Sequence, residues 1–213
     1  MSRRLLERMF EEPLNVIITG VGGQGNVLAS KILATVAVES GFYASVGETY
    51  GAAQRGGAVM SHVRISKDGQ YGPLTPQGKG DIILGFEPVE CLRTIGSFGN
   101  KKTRIIVNPR PIYPIDVLSG ATEYPHVDSV LQAIRELVSS VYVVEATELA
   151  KEVGAPIIQN MAMLGCLAGA GLTPFEYEAF REATSEEFSE KGRARNLRAL
   201  ELGYERIKTL KPL

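Results

Sequence analysis

The sequence predicts an α/β fold: a Rossmann-like, mostly parallel sheet covered by helices on both faces, with a helical C-terminal section. Three observations predict it. The β-branched apolar run at Leu14–Thr19 passes through a glycine-rich turn directly into helical spacing. Short apolar runs near 14–19, 42–46, 58–66, 82–86, 104–108 and 141–144 then alternate with helical stretches, the pattern of a sheet wound by crossover helices. From Thr173 onward the chain reads as at least two helices with mixed faces. No internal repeat or domain linker interrupts it, so residues 1–213 are expected to form a single domain.

The first strand is bounded by Pro13 and Gly20, and Val27, Leu28, Ile32, Leu33, Val36 and Ala37 repeat at helical spacing after it. A helix is expected from about Gly23 to Ser40, stopped by Gly41. Gly20, Gly22 and Gly25 between strand and helix fit G-x-G-x-x-G in its required context. Glycine there permits a tight turn, close approach of a ligand to the backbone and close helix–sheet packing. Gly20, Gly22, Gly23, Gln24 and Gly25 are therefore candidate binding residues, with the N–H groups opening the helix as donors to an anion. A helix N-terminus contributes only about 0.3–1 kcal/mol per charge, whereas micromolar affinity needs about 8 kcal/mol, so other residues must share the work. The competing reading is a turn rich in glycine for packing alone.

The second strand, at Phe42–Val46, runs into Gly47-Glu48-Thr49-Tyr50-Gly51-Ala52-Ala53-Gln54-Arg55-Gly56-Gly57, read as a loop. Glu48, Gln54, Arg55, Gly56 and Gly57 are candidates here: Arg55 has a planar fork suited to carboxylate or phosphate, and the glycine pair admits a close approach. A Glu48–Arg55 pair fixing the loop is the structural alternative. In 58–66, Val59, Ser61, Val63 and Ile65 share one face and Met60, His62 and Arg64 the other; Arg64 either joins the same ligand or is a solvated strand residue.

Residues 71–80 read as a proline- and glycine-rich surface connection, and 82–86 as a buried strand. Glu87-Pro88-Val89-Glu90 opens a helix, where the glutamates compensate the helix dipole rather than form an acid/base pair. A strand at 104–108, an amphipathic helix at 127–139, a strand at 141–144 and helices at 148–153 and 160–170 follow, and Thr173-Pro174 reads as a helix start.

Composition narrows the function. With 44% hydrophobic and 22% charged residues the chain has the balance of a water-soluble domain, and a net charge of -1 gives no support for nucleic-acid binding. Residues 1–12 lack the apolar stretch of a signal peptide and no window is long enough to span a membrane, so a cytoplasmic location is expected. Cys91 and Cys166 are far apart in apolar patterns, and His62 and His126 have no ligand spacing; no metal is expected on this chain.

Together, GVGGQG, GETYGAAQRGGAVMSHVRIS, DIILGFEPVECLR and IIVNPRPIYP, continuing through YPHVDSV, EATELAKEVG and NLRALELGYE, resemble the gamma-type subunit of 2-oxoacid:ferredoxin oxidoreductases. The resemblance is nearest to the beta subunit of indolepyruvate:ferredoxin oxidoreductase and covers nearly the whole chain. The family pattern has His where this chain has Tyr50 and Met where it has Ala52; Tyr donates a hydrogen bond but does not titrate near neutrality.

The resemblance implies a complex that oxidatively decarboxylates an aryl 2-oxoacid, with coenzyme A as acyl acceptor and ferredoxin as electron acceptor. It implies that thiamine pyrophosphate, magnesium and iron–sulfur clusters belong to an alpha-type partner subunit, and that this chain contacts substrate or coenzyme A. The isolated chain is expected to be inactive. Two rivals remain at this point. An independent Rossmann-type nucleotide-binding enzyme would use Glu48 on a ribose. A non-catalytic scaffold would use its glycine loops only as an interface.

Overall fold

The computed structural model describes residues 12–50 and 57–213. Its elements are β1 (Leu14–Val21), α1 (Asn26–Glu39), β2 (Tyr43–Tyr50), β3 (Ala58–Ser66), β4 (Ile82–Gly85), α2 (Pro88–Phe98), β5 (Arg104–Val107) and α3 (Ile115–Leu118). There follow α4 (Val127–Leu137), β6 (Ser140–Val143), α5 (Ala146–Glu152), a 3-10 turn at Pro156–Ile158, α6 (Gln159–Gly169), α7 (Tyr177–Glu187) and α8 (Glu190–Thr209).

Among the described residues, six strands form one sheet in the order β2-β3-β1-β4-β5-β6. β1, β4, β5 and β6 pair in parallel, whereas β3 runs antiparallel to both β1 and β2. β1 and β2 therefore point the same way and end at the same edge. Alternation along the strands divides the core in two. Val16, Ile18, Ile82, Leu84 and Ile106 join α1, α5, α6, α7 and α8 on one face. Ile17, Ile83, Ile105 and Val107 join α2 and α4 on the other. The expected helix-covered, mostly parallel sheet is the fold observed.

Three local expectations change. β2 continues through Gly47, Glu48 and Thr49 to Tyr50, because β3 pairs with it along its whole length, Tyr43 opposite Ser66 and Tyr50 opposite Val59. Cross-strand hydrogen bonding overrides the loop signal of the glycine. Gly47 lets residues 71–80 close on this strand: a Cβ there would lie 2.9 Å from both Pro73 O and Leu74 Cδ2. α1 starts at Asn26 because Gly25 is left-handed, φ 83°. Thr173-Pro174 does not start a helix. Thr173 is buried with no hydrogen-bond partner for its hydroxyl among the described residues, Phe175 packs edge-on to Phe42 at 5.2 Å, and α7 begins only at Tyr177.

The C-terminal helices pack backbone to backbone. A Cβ on Gly165 of α6 would collide with Leu200 O of α8, and one on Gly203 with Ala162 O. Small residues at the crossing let α6, almost wholly buried, lie against α8 without intervening side chains. Among the described residues, no helix is long and apolar enough to cross a membrane.

Candidate functional site

The winding of the sheet selects its carboxyl edge between β1 and β4. α1 leaves β1 on one face and α2 leaves β4 on the other, so the connections diverge at this point. Open α/β sheets bind ligands in the crevice such a divergence creates.

The first glycine turn sits there. Gly22 N donates to Gly57 O at 2.8 Å, and Gln24 N to Val21 O at 3.1 Å. Gly23 (φ 104°) and Gly25 (φ 83°) are both in the left-handed region, and a Cβ on Gly23 would meet nothing within 4 Å among the described residues. Among the described residues, no side chain caps α1, and no acidic residue lies in its first turn. The opening N–H groups of α1 thus lack the side-chain acceptor that most buried helix starts carry.

Gln24 has a different role from the one its type suggests. It is 4% exposed, its Oε1 accepts from Val21 N at 2.7 Å, and its Nε2 donates to Phe86 O at 2.8 Å. Phe86 N in turn donates to Thr19 O at 2.8 Å. The amide therefore stitches the β1 turn to the end of β4. Gly20 makes room for it: a Cβ there would collide with Gln24 Oε1. Gly25 makes room for Asn160 at the start of α6, whose Nδ2 lies 3.4 Å from Gly25 O.

Around this turn lie residues that the sequence reading did not single out for binding. Asn108 follows β5; its Nδ2 reaches Phe86 O at 3.3 Å, Thr147 Oγ1 at 3.0 Å and Gln159 Oε1 at 3.1 Å. Among the described residues, Asn108 Oδ1 and Asn26 Oδ1 are buried without a hydrogen-bond partner. The signal available in the sequence was position alone: a polar residue immediately after an apolar parallel strand falls at the carboxyl edge.

Glu87 caps α2, Oε2 accepting from Glu90 N at 2.8 Å, and its other oxygen accepts from the Tyr124 hydroxyl. Glu87 is 1% exposed, so these donors replace the water it loses. Burial raises the Glu90 pKa; Arg93, 2.6 Å away, opposes that and Glu87 adds to it. Burial, followed by the bond to Glu87, raises the Tyr124 pKa, so its hydroxyl stays a donor. The expectation that these glutamates serve the helix start rather than acid/base chemistry agrees with the cap.

The remaining candidates separate. Gly20, Gly22, Gly23, Gln24, Gly25 and Gly57 are brought together. Glu48 lies two strands away on β2, accepting from Ser30 Oγ at 2.8 Å and Ser61 Oγ at 2.5 Å, which ties α1 to β2 and β3. Arg64 is at the opposite edge, paired in register with Asn15 at the start of β1, about 17 Å of strand from Gly20. It does not join the glycine turns. Gln54, Arg55 and Gly56 lie outside the described residues. Among the described residues, no three His, Cys, Asp or Glu side chains group as metal ligands.

The comparisons with known proteins agree on one family. The profile described as pyruvate ferredoxin/flavodoxin oxidoreductase matches residues 15–206. The indolepyruvate oxidoreductase subunit IorB of Archaeoglobus fulgidus is 39% identical over 191 residues, covering 90% of this chain and 94% of that one. The subunit of the same name from Thermococcus kodakarensis is 36% identical over 197 residues, covering 92% and 96%. The fold matches the gamma subunit of a keto/oxoacid ferredoxin oxidoreductase from Geobacter sulfurreducens, with TM-score 0.67 and 23% identity over 92% of this chain and 99% of that one. A 2-oxoglutarate:ferredoxin oxidoreductase from Magnetococcus marinus superposes at TM-score 0.72 with 22% identity over 96% of this chain, which there corresponds to 32% of a longer chain. This chain belongs to the pyruvate ferredoxin/flavodoxin oxidoreductase family, as a gamma-type, IorB-like subunit of a 2-oxoacid:ferredoxin oxidoreductase complex.

Proposed function

We propose that this chain, acting as one domain in the cytoplasm, closes over the active site of an alpha-type partner and orients an aryl 2-oxoacid, indolepyruvate first, or coenzyme A. In the overall reaction the 2-oxoacid loses carbon dioxide, its acyl group passes to the coenzyme A sulfur, and the electron pair released goes to ferredoxin. Thiamine pyrophosphate with magnesium and iron–sulfur clusters, held on the partner, supply the electron sink and the electron path. The two thiols here support that division. Cys91 and Cys166 are buried in opposite layers, and burial pushes both thiols well above the ordinary range, away from the thiolate form that ligates a cluster.

The observation that carries the proposal is the Gly22–Gly57 bond, which joins both glycine stretches at the carboxyl edge. With Gln24 bonded internally, the ligand-facing donors of the first turn are backbone N–H groups beside the uncapped start of α1. Gln54 and Arg55, on the stretch ending at Gly57, bind an anionic group of substrate or coenzyme A.

Anaerobic affinity purification of the chain with its native partners tests this. A stoichiometric, brown, thiamine-bearing partner with indolepyruvate-dependent dye reduction is the expected result. Arg55→Ala in that complex raises the apparent KM for the 2-oxoacid or for coenzyme A. Unchanged turnover and unchanged affinities for both would sink the role given to the second stretch.

A further inference from the structure

At the edge of the sheet opposite the glycine turns, a cavity of about 620 Å³ opens beside the starts of β1, β4 and β5. Among the described residues, Arg64, Lys79, Lys101, Lys102 and Arg104 line it, with two carboxylates, Glu12 and Asp81. Basic side chains outnumber acidic ones among these described lining residues, in a chain whose net charge is -1. Both carboxylates also serve neutral donors: Asp81 Oδ2 accepts from Asn15 N at 2.8 Å, and Glu12 Oε1 from Lys67 N at 3.2 Å.

The cavity is built around a positioned guanidinium. Arg64 Nε donates to Asn15 Oδ1 at 2.9 Å, Nη1 donates to Gly72 O at 2.8 Å, and the Tyr71 ring lies 5.1 Å from its central carbon. These contacts hold the plane of the group through Nε and Nη1, and among the described residues Nη2 has no hydrogen bond. Lys101 is steadied by donation to Glu136 O at 2.9 Å. Lys79 belongs to a loop closed by Gly80 N donating to Phe98 O at 2.7 Å. Pro13 and Pro76 add apolar wall. A fixed fork with ammonium groups around it is the donor set that suits phosphate, and a concave space of this volume suits a small molecule.

We propose that this cavity binds a phosphate-rich anion of nucleotide size, with a nucleoside diphosphate as its representative: the phosphates on Arg64, Lys79 and Lys101, and the remainder against the prolines. The cavity lies at the sheet edge away from the glycine turns.

Isothermal titration of the full chain with ADP, and separately with inorganic pyrophosphate, tests the site. K79E/K101E is the variant of choice, because both side chains are on the surface and their reversal leaves the core intact, as an unchanged melting temperature would verify. Saturable binding that weakens at least about tenfold in the variant, and falls as salt is raised, is the expected result. Absence of saturable binding of both anions at millimolar concentration overturns the proposal. So does ADP binding that the variant leaves unchanged, which would place the nucleotide at the start of α1 instead. If neither anion binds but the variant weakens assembly with the alpha-type partner, the cations serve an acidic protein surface and the small-molecule site is refuted.

Discussion

Gly22 donates its backbone N–H to the carbonyl oxygen of Gly57 over 2.8 Å, one step beyond the last ladder pair of β1 and β3, Val21 opposite Ala58. The bond makes two distant glycine stretches a single surface. It is available because β3 returns antiparallel beside β1, so the residue entering β3 meets the residue leaving β1. An ordinary parallel crossover would have put the second stretch at the end of a neighbouring strand without this direct backbone link.

Gln24 holds the turn together. Gln24→Leu leaves the buried Val21 N–H without its acceptor and Phe86 O with only the longer bond from Asn108 Nδ2 at 3.3 Å, and a loss of about 2 kcal/mol of stability is expected. The urea midpoint at constant slope reads it. A loss below about 0.5 kcal/mol would mean that water replaces the amide and that Gln24 is free to serve a ligand.

Gly203→Ala should be among the most damaging single-methyl changes in the chain. The added Cβ collides with Ala162 O on α6, a backbone atom that cannot rotate away, so the helices must separate. About 3 kcal/mol is expected from overpacking, despite the gain in helix propensity from Gly to Ala. A variant of wild-type or greater stability would show that the α6–α8 crossing relaxes freely.

Tyr124→Phe removes a donor from the buried Glu87 carboxylate while keeping the ring that meets Tyr113 edge-on at 5.3 Å. A loss of about 2 kcal/mol is expected, the scale of a hydrogen bond to a charged group. Hydrogen exchange should rise locally around Tyr124 and at the start of α2. Uniform exchange across both segments would rule out the tether.

His62 makes the acid limb of stability steeper. It is 1% exposed and packs edge-on to Phe98 at 5.1 Å; burial first, and Arg64 second, lower its pKa below 6.5. The unfolded chain therefore takes up the proton first. The contribution is complete above about pH 6.5 and declines as pH falls through the lowered folded value. Glu90 acts oppositely: with its folded pKa raised, it favours the folded state as pH falls toward 4.5. The difference between wild type and His62→Phe isolates the histidine, and the variant should lose less stability between pH 7 and pH 5. Parallel stability–pH curves would refute the assignment.

The layered fold was legible because hydrophobic periodicity is a local property. Ile17 alternates with Val16 and Ile18 along β1, and the two sets reach opposite cores. The glycine turn was legible for a related reason, since a left-handed residue such as Gly25 leaves a chemical mark on its own position. The N-terminal glutamates of α2 were readable from their place before and after Pro88. Thr173-Pro174 shows the limit: its local start signal lost to the packing of Phe175 on Phe42, a contact between distant residues.

The α/β class, the first turn and the family follow from spacing along the chain alone. Only the tertiary structure decided that β3 runs antiparallel, that Glu48 is held by Ser30 and Ser61, that Gln24 bonds inward, and that Arg64 belongs to the opposite edge. Each depends on which strand lies beside which and in what register. A polar side chain acts on whatever neighbour the register supplies, and that neighbour can be any distance away in the sequence.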